Sequence, residues 1–390
     1  MILIDKPYVS DFLIETIKKN KFKIVATSEA KKLILDKSLN WISEKEAITL
    51  IKNNLNTPIY SNSENIISWV EQNLEFSKLP NQIQLFKNKI TFRELVQDIF
   101  PNYFFKGVKF EDLDNISITN LPFPFIIKPA IGFFSLGVHK VDKPQEWKQV
   151  LTEIKQEINQ IKGFYPNEVL NTTHFIIEEC IEGEEYAVDC YFNKNGEPIV
   201  LNILHHIFSS GKDVSDRIYT TSKEIIEGNI EGIEKFLQII GEKASLINFP
   251  VHVEVRINNQ GKIIPIEINP LRFGGWCTTG DLSWYAYGIN SYEYFLKGKK
   301  PNWKEILNTR KGKKYSIILL DNSTSIDKNN IAYFDYEKVL KDFEKPLSLR
   351  KVNFNEYPIF GILFVETSLG NEQELDNILT SKLEKYIVLK

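Results

Sequence analysis

Cysteine is scarce: only Cys180, Cys190 and Cys277 occur among 390 residues. An odd number with no metal-type spacing excludes a disulfide framework and a cysteine-built metal site. No apolar run approaches the roughly 20 residues that a membrane-crossing helix needs. An excess of either charge is also missing, with 48 Lys and Arg against 51 Asp and Glu and a net charge of −3. That balance argues against a general binder of nucleic acid or of membrane surfaces. The opening stretch MILIDKPYVSDFLIE has no basic segment leading into an apolar run and a small-residue cleavage site, so a cytoplasmic protein is expected. The glycine signatures of phosphate loops are absent too. No GxGxxG follows the first strand, and nothing fits GxxxxGK[ST]. Core-forming residues are ample, at 43% hydrophobic and 12% aromatic. The chain is too long for one small core, so two or three subdomains are expected.

The most informative stretch is Val251 to Gly275. Val251, Val253, Val255 and Ile257 alternate with His252, Glu254 and Arg256, the period of a strand with one buried face. After Asn258-Asn259-Gln260-Gly261 the alternation resumes, with Ile264, Ile266 and Ile268 on one side and Glu267 and Asn269 on the other. A two-residue turn centred on Gln260-Gly261 predicts a hairpin with Glu254 facing Glu267 and His252 facing Asn269. Like charges directly opposite destabilise a strand pair by up to roughly 1 kcal/mol. A hard divalent cation with oxygen ligands offsets that, and two carboxylates with an Asn amide oxygen make a partial shell for Mg²⁺. A solvated polar hairpin face is the plainer alternative.

Upstream, Ile2-Leu3-Ile4, a helix capped by Ser10 and a second strand at Phe22 to Ala26 predict a β-α-β unit with a parallel sheet. Lys89 to Phe105 has the helical stripe Phe92, Leu95, Val96 and Ile99, broken at Pro101, and by itself makes Lys89 and Arg93 ordinary surface residues. Phe125-Ile126-Ile127-Lys128 reads as a strand ending in a lysine. Beyond it, Gly132 and Gly137 bracket Phe133-Phe134-Ser135-Leu136 before the chain returns through Val138 to Val141. Such a lysine can hold a phosphate by charge while loop amides and Ser135 cap its oxygens. Trp147 to Lys162 is an amphipathic helix. Between strands at Phe175 and Tyr186, the acidic connector Glu178 to Gly183 can offer backbone groups to a planar base and carboxylates to an amine or to ribose hydroxyls. His205 and His206 are adjacent on a strand, point to opposite faces, and make a poor metal pair. Residues from about 301 onward form a last α/β piece with strands at Tyr315 to Leu320 and Ile359 to Val365, a helix at Leu375 to Tyr386, and no evident chemistry.

In this order the pieces resemble the ATP-grasp superfamily of carboxylate–amine ligases. The resemblance rests on Lys89, Lys128 with Ser135-x-Gly137-Val138, the run Glu178-Glu179-Cys180-Ile181-Glu182-Gly183-Glu184-Glu185, and Glu254 with Glu267-x-Asn269-Pro270, over roughly residues 87–290. It implies an α/β chain with a Rossmann-like subdomain at 1–86, the ATP-grasp lobes at 87–300 and a small α/β extension at 301–390. By resemblance Lys89 and Lys128 contact phosphates, with Ser135 and Gly137 in the covering hairpin. Glu178 meets the adenine amine, Glu179 belongs to the same connector, the backbone at Cys180 and Ile181 meets the adenine edge, and Glu185 binds ribose. Glu254, Glu267 and Asn269 hold Mg²⁺, or Mn²⁺ in its place. The family follows Asn-Pro directly with Arg, whereas here Leu271 intervenes; Arg272 then becomes the clamp for a substrate carboxylate or intermediate. The implied reaction uses ATP, a carboxylate and an amine, passes through an acyl phosphate and yields an amide, with amino-acid-like substrates and a homodimer both compatible. A kinase, a carboxylase (for which no biotin-carrier-like segment is present) and a non-catalytic nucleotide-binding protein are the other readings.

Overall fold

The computed structural model describes residues 1–132, 137–161, 171–210, 215–324 and 326–390. The first unit is a four-stranded parallel sheet in the order Trp41–Ile42, Ile24–Val25, Ile2–Leu3, Tyr60–Ser61. Short, buried, mostly apolar strands alternating with amphipathic helices dictate this arrangement, because a parallel sheet must be covered on both faces. Its helices start on side-chain caps: Ser10 accepts from the Leu13 amide at 3.1 Å, and Thr27 and Ser43 do the same for the next two.

Two helices, Leu79–Lys87 and Lys89–Leu95, lead out of this unit and are separated only by Asn88. Asn88 ends the first helix and caps the second, its Oδ1 accepting from the Ile90 amide at 3.0 Å. The second helix stops at Leu95, two turns short of the breaker Pro101, so Val96 and Ile99 pack from turns.

Next comes an antiparallel sheet in the order Phe105–Lys109, Asn171–Glu179, Phe125–Ile131, His139–Val141. Helix Trp147–Ile161 covers one face, placing Val150, Leu151, Ile154 and Ile158 against Phe125, Ile127, Phe175 and Ile177. The rest of the molecule is built on an eight-stranded sheet in the order Ile263–Pro270, Phe249–Ile257, Glu184–Phe192, Pro198–Ile207, Ile218–Ser222, Lys313–Asp321, Ile359–Ser368, Pro346–Lys351. This sheet runs straight through residue 300, so the last three strands extend the central sheet while keeping a separate core around Phe334, Phe360 and Tyr386. The expected helix at Leu375 to Tyr386 is shorter than its periodicity suggests. It occupies Gln373–Leu379, and Leu383 then adopts φ +63° before a 3₁₀ turn.

The hairpin register is the predicted one where it matters: His252 pairs with Asn269 and Glu254 with Glu267. The turn is not. Ile257 pairs with Ile263, and the Asn258 amide donates to the Lys262 carbonyl at 3.2 Å, so five residues form the loop. A bulge corrects the offset: Val255 faces Pro265 while Glu254 faces Glu267, leaving Ile266 as the extra residue. The simple alternation of Ile264, Ile266 and Ile268 is therefore broken, and Ile266 is only half-buried.

Candidate active site

The helix Lys89–Leu95 clasps the two sheets together. Lys89 and Arg93 are four residues apart and share one face. Lys89 Nζ lies 2.9 Å from Glu267 on the large sheet and 3.4 Å from the Gly132 carbonyl on the small one. Arg93 Nε donates to Glu178 of the small sheet at 2.7 Å, and its Nη1 donates to the Pro265 carbonyl of the large one at 2.6 Å. Both side chains are buried, Arg93 to 2% exposure. The periodicity that placed them on the surface did not register that both faces of this short helix are covered.

Lys128 lies in the middle of its strand, which does not end there as expected but runs on through the buried Pro129 and Ala130 to Ile131, and it meets Glu178 at 2.5 Å. Both oxygens of Glu178 are thus engaged, one by Lys128 and one by Arg93. Burial pushes this carboxyl up, but the two cations outweigh it and hold it at about 2. Its side chain orients Lys128 rather than presenting a free oxygen to a base. Gly137 has φ +69°, while Ser135 lies outside the described residues.

The connector is fixed by its neighbours. The Cys180 amide donates to the Pro124 carbonyl at 3.4 Å, the Glu179 carbonyl accepts from Tyr103 Oη at 3.1 Å, and the Ile181 carbonyl accepts from Arg256 Nη1 at 2.8 Å. The Ile181 amide and the Cys180 carbonyl have no partner among the described residues. Gly183 is obligatory: its φ is +116°, and a Cβ there would lie 2.4 Å from the Ile257 carbonyl oxygen. Glu185 is held by His206 Nδ1 at 2.9 Å and by Arg256 Nε at 3.1 Å.

On the hairpin, Glu267 is half-buried; the desolvation it meets pushes its carboxyl up, but Lys89 above all, with Lys87 and Lys128 adding to it, holds it well below the usual carboxylate range. Glu254 is the opposite case. Burial and then Glu267 push it well above that range, and among the described residues the ion-pair-range neighbour it has is His252, whose Nε2 lies 3.8 Å away. Asn269 Nδ2 donates to Glu267 at 3.1 Å, which leaves its carbonyl oxygen available. Among the described residues no group of three or more His, Cys, Asp or Glu forms a metal-type cluster. The candidate donors are two opposed carboxylates and one amide oxygen, a hard set suited to Mg²⁺ with the rest of its shell supplied by phosphate and water.

Arg272 stands at the end of this strand, outside the hairpin proper. Its Nε and Nη2 lie 3.0 and 2.9 Å from Glu64 of the first unit, and Lys87 reaches the other Glu64 oxygen at 2.5 Å. Glu64 and Lys87 went unread in the sequence. The signal that could have found Glu64 is its place in the polar turn Ser61-Asn62-Ser63-Glu64-Asn65 at the carboxyl end of a parallel strand, where α/β sheets gather ligands. Helix Lys89–Leu95 and the two sheets thus bring Lys89, Lys128, Glu178, Glu267 and Asn269 into one linked cluster, with Glu254 opposite Glu267, while Ser135 lies outside the described residues.

Residues 121–280 match the ATP-grasp domain family. Over its whole length the chain is similar to three solved enzymes. The crystal structure of the L-amino acid ligase from Bacillus licheniformis is 16% identical, with 100% of this chain and 98% of that chain covered and a TM-score of 0.69. The N5-carboxyaminoimidazole ribonucleotide synthetase from Thermotoga maritima is 16% identical, with 99% and 98% covered and a TM-score of 0.64. The biotin carboxylase from Campylobacter jejuni is 13% identical, with 100% and 91% covered and a TM-score of 0.64. No curated protein matches the sequence. The ATP-grasp match is thus confined to residues 121–280, and over its whole length the chain shares its fold with these three structures. No helix among the described residues is long and apolar enough to cross a membrane.

Proposed function

We propose that this chain is an ATP-dependent carboxylate–amine ligase acting on amino-acid-like substrates. The observation that carries it is the convergence of Lys128, Glu178, Glu254, Glu267 and Asn269 from two sheets, with Lys89 from the helix between them, onto one cluster. On this reading the connector reads adenine through the free Ile181 amide and Cys180 carbonyl, and Glu185 takes ribose. Glu178 holds Lys128 extended toward the phosphates, and Lys89 swings from Glu267 to them. Glu254, Glu267 and Asn269 would hold Mg²⁺ or Mn²⁺, which supplies charge neutralisation for the phosphate oxygens.

The carboxylate oxygen attacks the γ-phosphorus and the bond to ADP breaks. Lys89 and Lys128 stabilise the charge spreading over the transferring group. The amine nitrogen then attacks the carbonyl carbon of the acyl phosphate. Phosphate leaves, the surplus amine proton passes to solvent, and Arg272 steadies the tetrahedral oxyanion. The likeness to the L-amino acid ligase fold favours an amide product over a phosphorylated one.

The test is ADP and phosphate release with amino acids supplied singly and in pairs, with hydroxylamine as a surrogate amine. Ligase chemistry gives phosphate release that depends on a carboxylate, and a hydroxamate in the presence of hydroxylamine. ADP release with a stable phosphorylated product instead identifies a kinase. Glu267→Gln is expected to lower turnover well over tenfold. Full turnover and magnesium dependence in that variant places the metal elsewhere.

A further inference from the structure

Glu64 belongs to no nucleotide motif, yet it is the most constrained acidic residue of the first unit. Its turn is locked from several sides. Ser61 Oγ donates to the Ser63 carbonyl at 2.8 Å, Asn62 Nδ2 donates to the Asp5 and Tyr8 carbonyls at 2.7 Å each, and the Asn65 amide donates to Ser63 Oγ at 3.2 Å. Glu64 itself is 8% exposed.

The same turn grips the loop that carries Arg272. The Ser61 amide donates to the Leu271 carbonyl at 2.8 Å, and the Leu271 amide donates to the Pro250 carbonyl at 2.9 Å. Leu271, the residue inserted between Pro270 and Arg272, is 2% exposed and has φ +63°. A left-handed, non-glycine residue persists only where its surroundings impose it. Here Ser61 of the first unit and Pro250 of the large sheet hold it from both sides.

Arg272 spends its side fork, Nε and Nη2, on Glu64 at 3.0 and 2.9 Å, and its Nη1 donates to the Phe273 carbonyl at 2.9 Å. One N–H on each terminal nitrogen remains without a partner among the described residues, and the one on Nη2 belongs to the end fork of the guanidinium. A planar end fork is the geometry that grips a carboxylate or phosphate with two parallel bonds. Glu64 also takes Lys87, itself 3% exposed, so two cations share one carboxylate and the cluster keeps one positive charge in excess.

We propose that Glu64 is a positioning residue for the reaction: it fixes the Arg272 guanidinium so that its end fork receives the oxygens of the reacting carboxylate, with Lys87 as counter-charge. This rests on the ligase reading for the identity of the anion, but not for the positioning itself. The first unit then completes the clamp instead of merely flanking the nucleotide site.

Two measurements test it. In protein labelled with [¹⁵N]arginine, the Nε–H signal lost in Arg272→Lys identifies Arg272. It is expected to exchange slowly with solvent in the wild type and rapidly in Glu64→Gln. Kinetically, with hydroxylamine as amine and the twenty proteinogenic amino acids supplied one at a time, Glu64→Gln is expected to lower kcat/KM for the accepted amino acid by roughly tenfold to a hundredfold. The KM for ATP should stay within about twofold, because no lysine of the phosphate row is touched. Lys87→Gln removes the other half of the cluster and controls for a purely structural loss. It should leave the Arg272 Nε–H protected.

Rapid Nε–H exchange in the wild type overturns the proposal, and needs no variant to fold. So does a protected Arg272 with unchanged carboxylate kinetics in Glu64→Gln, or equal losses for ATP and carboxylate in both variants. If no amino acid supports hydroxamate formation in the wild type, the ligase reading fails, while the exchange data still decide the positioning.

Discussion

At Glu178 three charges meet almost without water, the carboxylate taking Arg93 on one oxygen and Lys128 on the other. Its folded value of about 2 lies below the ordinary 4.5. A carboxyl depressed in the fold stabilises it above the unfolded value and loses that contribution as pH falls through the folded one, here from about 4.5 down to about 2. The contribution is roughly 3 kcal/mol. Urea unfolding between pH 2 and 6 should show this acid-sensitive component in the wild type and not in Glu178→Gln. That variant should also lose about 3–5 kcal/mol near neutrality, because two buried cations lose their partner. Lys128→Ala should weaken ATP binding about tenfold or more by calorimetry, with the fold retained. Lys128 and Glu267 stood out because each is a charged residue within an otherwise apolar strand, although the strand of Lys128 runs on to Ile131. Glu64, Lys87 and Arg93 were not. Arg93, for one, finds its carboxylate 85 residues away, and nothing local encodes that.

Among the elements, the hairpin shows where period-two reading succeeds and where it fails. The alternation from Val251 to Ile257 determines which side chains share a face, so Glu254 and Glu267 were placed correctly. The turn and the bulge at Ile266 depend on local loop geometry that alternation does not carry, and the two errors cancel at the carboxylates. The connector offers a sharper test. Gly183→Ala forces a methyl to 2.4 Å from the Ile257 carbonyl oxygen in a backbone region that suits glycine. The expected cost is about 2 kcal/mol or more, read as a lower thermal midpoint. Nucleotide affinity should fall with it, because the same residues present Ile181.

For the whole molecule, the long sheet ties the last ninety residues to the site, a link that the sequence reading left as a separate piece without chemistry. Arg350, on the edge strand, reaches back to Asp281 and donates from Nη1 to the Trp276 carbonyl at 2.9 Å, with its guanidinium 5.5 Å from the Tyr8 ring. Three parts of the chain thus meet on one buried ion pair. Burial pushes Asp281 up to about 6 even with Arg350 beside it. A carboxyl raised in the fold favours it at low pH and costs stability as pH rises from its unfolded value of 3.8 through the folded one. Arg350→Met should therefore destabilise by several kcal/mol near neutrality, with the deficit shrinking on acidification toward pH 4. Denaturation of both proteins across that range is the measurement, and a pH-independent deficit would assign Arg350 a packing role only.

Three cations of the cleft each have a carboxylate partner: Lys89 has Glu267, Lys128 has Glu178 and Arg272 has Glu64. Nucleotide entry is then an exchange of partners for Lys89, while Lys128 and Arg272 keep theirs, so few bound counterions are released. A bare polycationic groove would lose affinity steeply with added salt. This cleft should not, and ATP affinity measured from 50 to 500 mM KCl is expected to fall only severalfold. A protein arranged this way holds its nucleotide through swings in ionic strength that would strip it from an unpaired site.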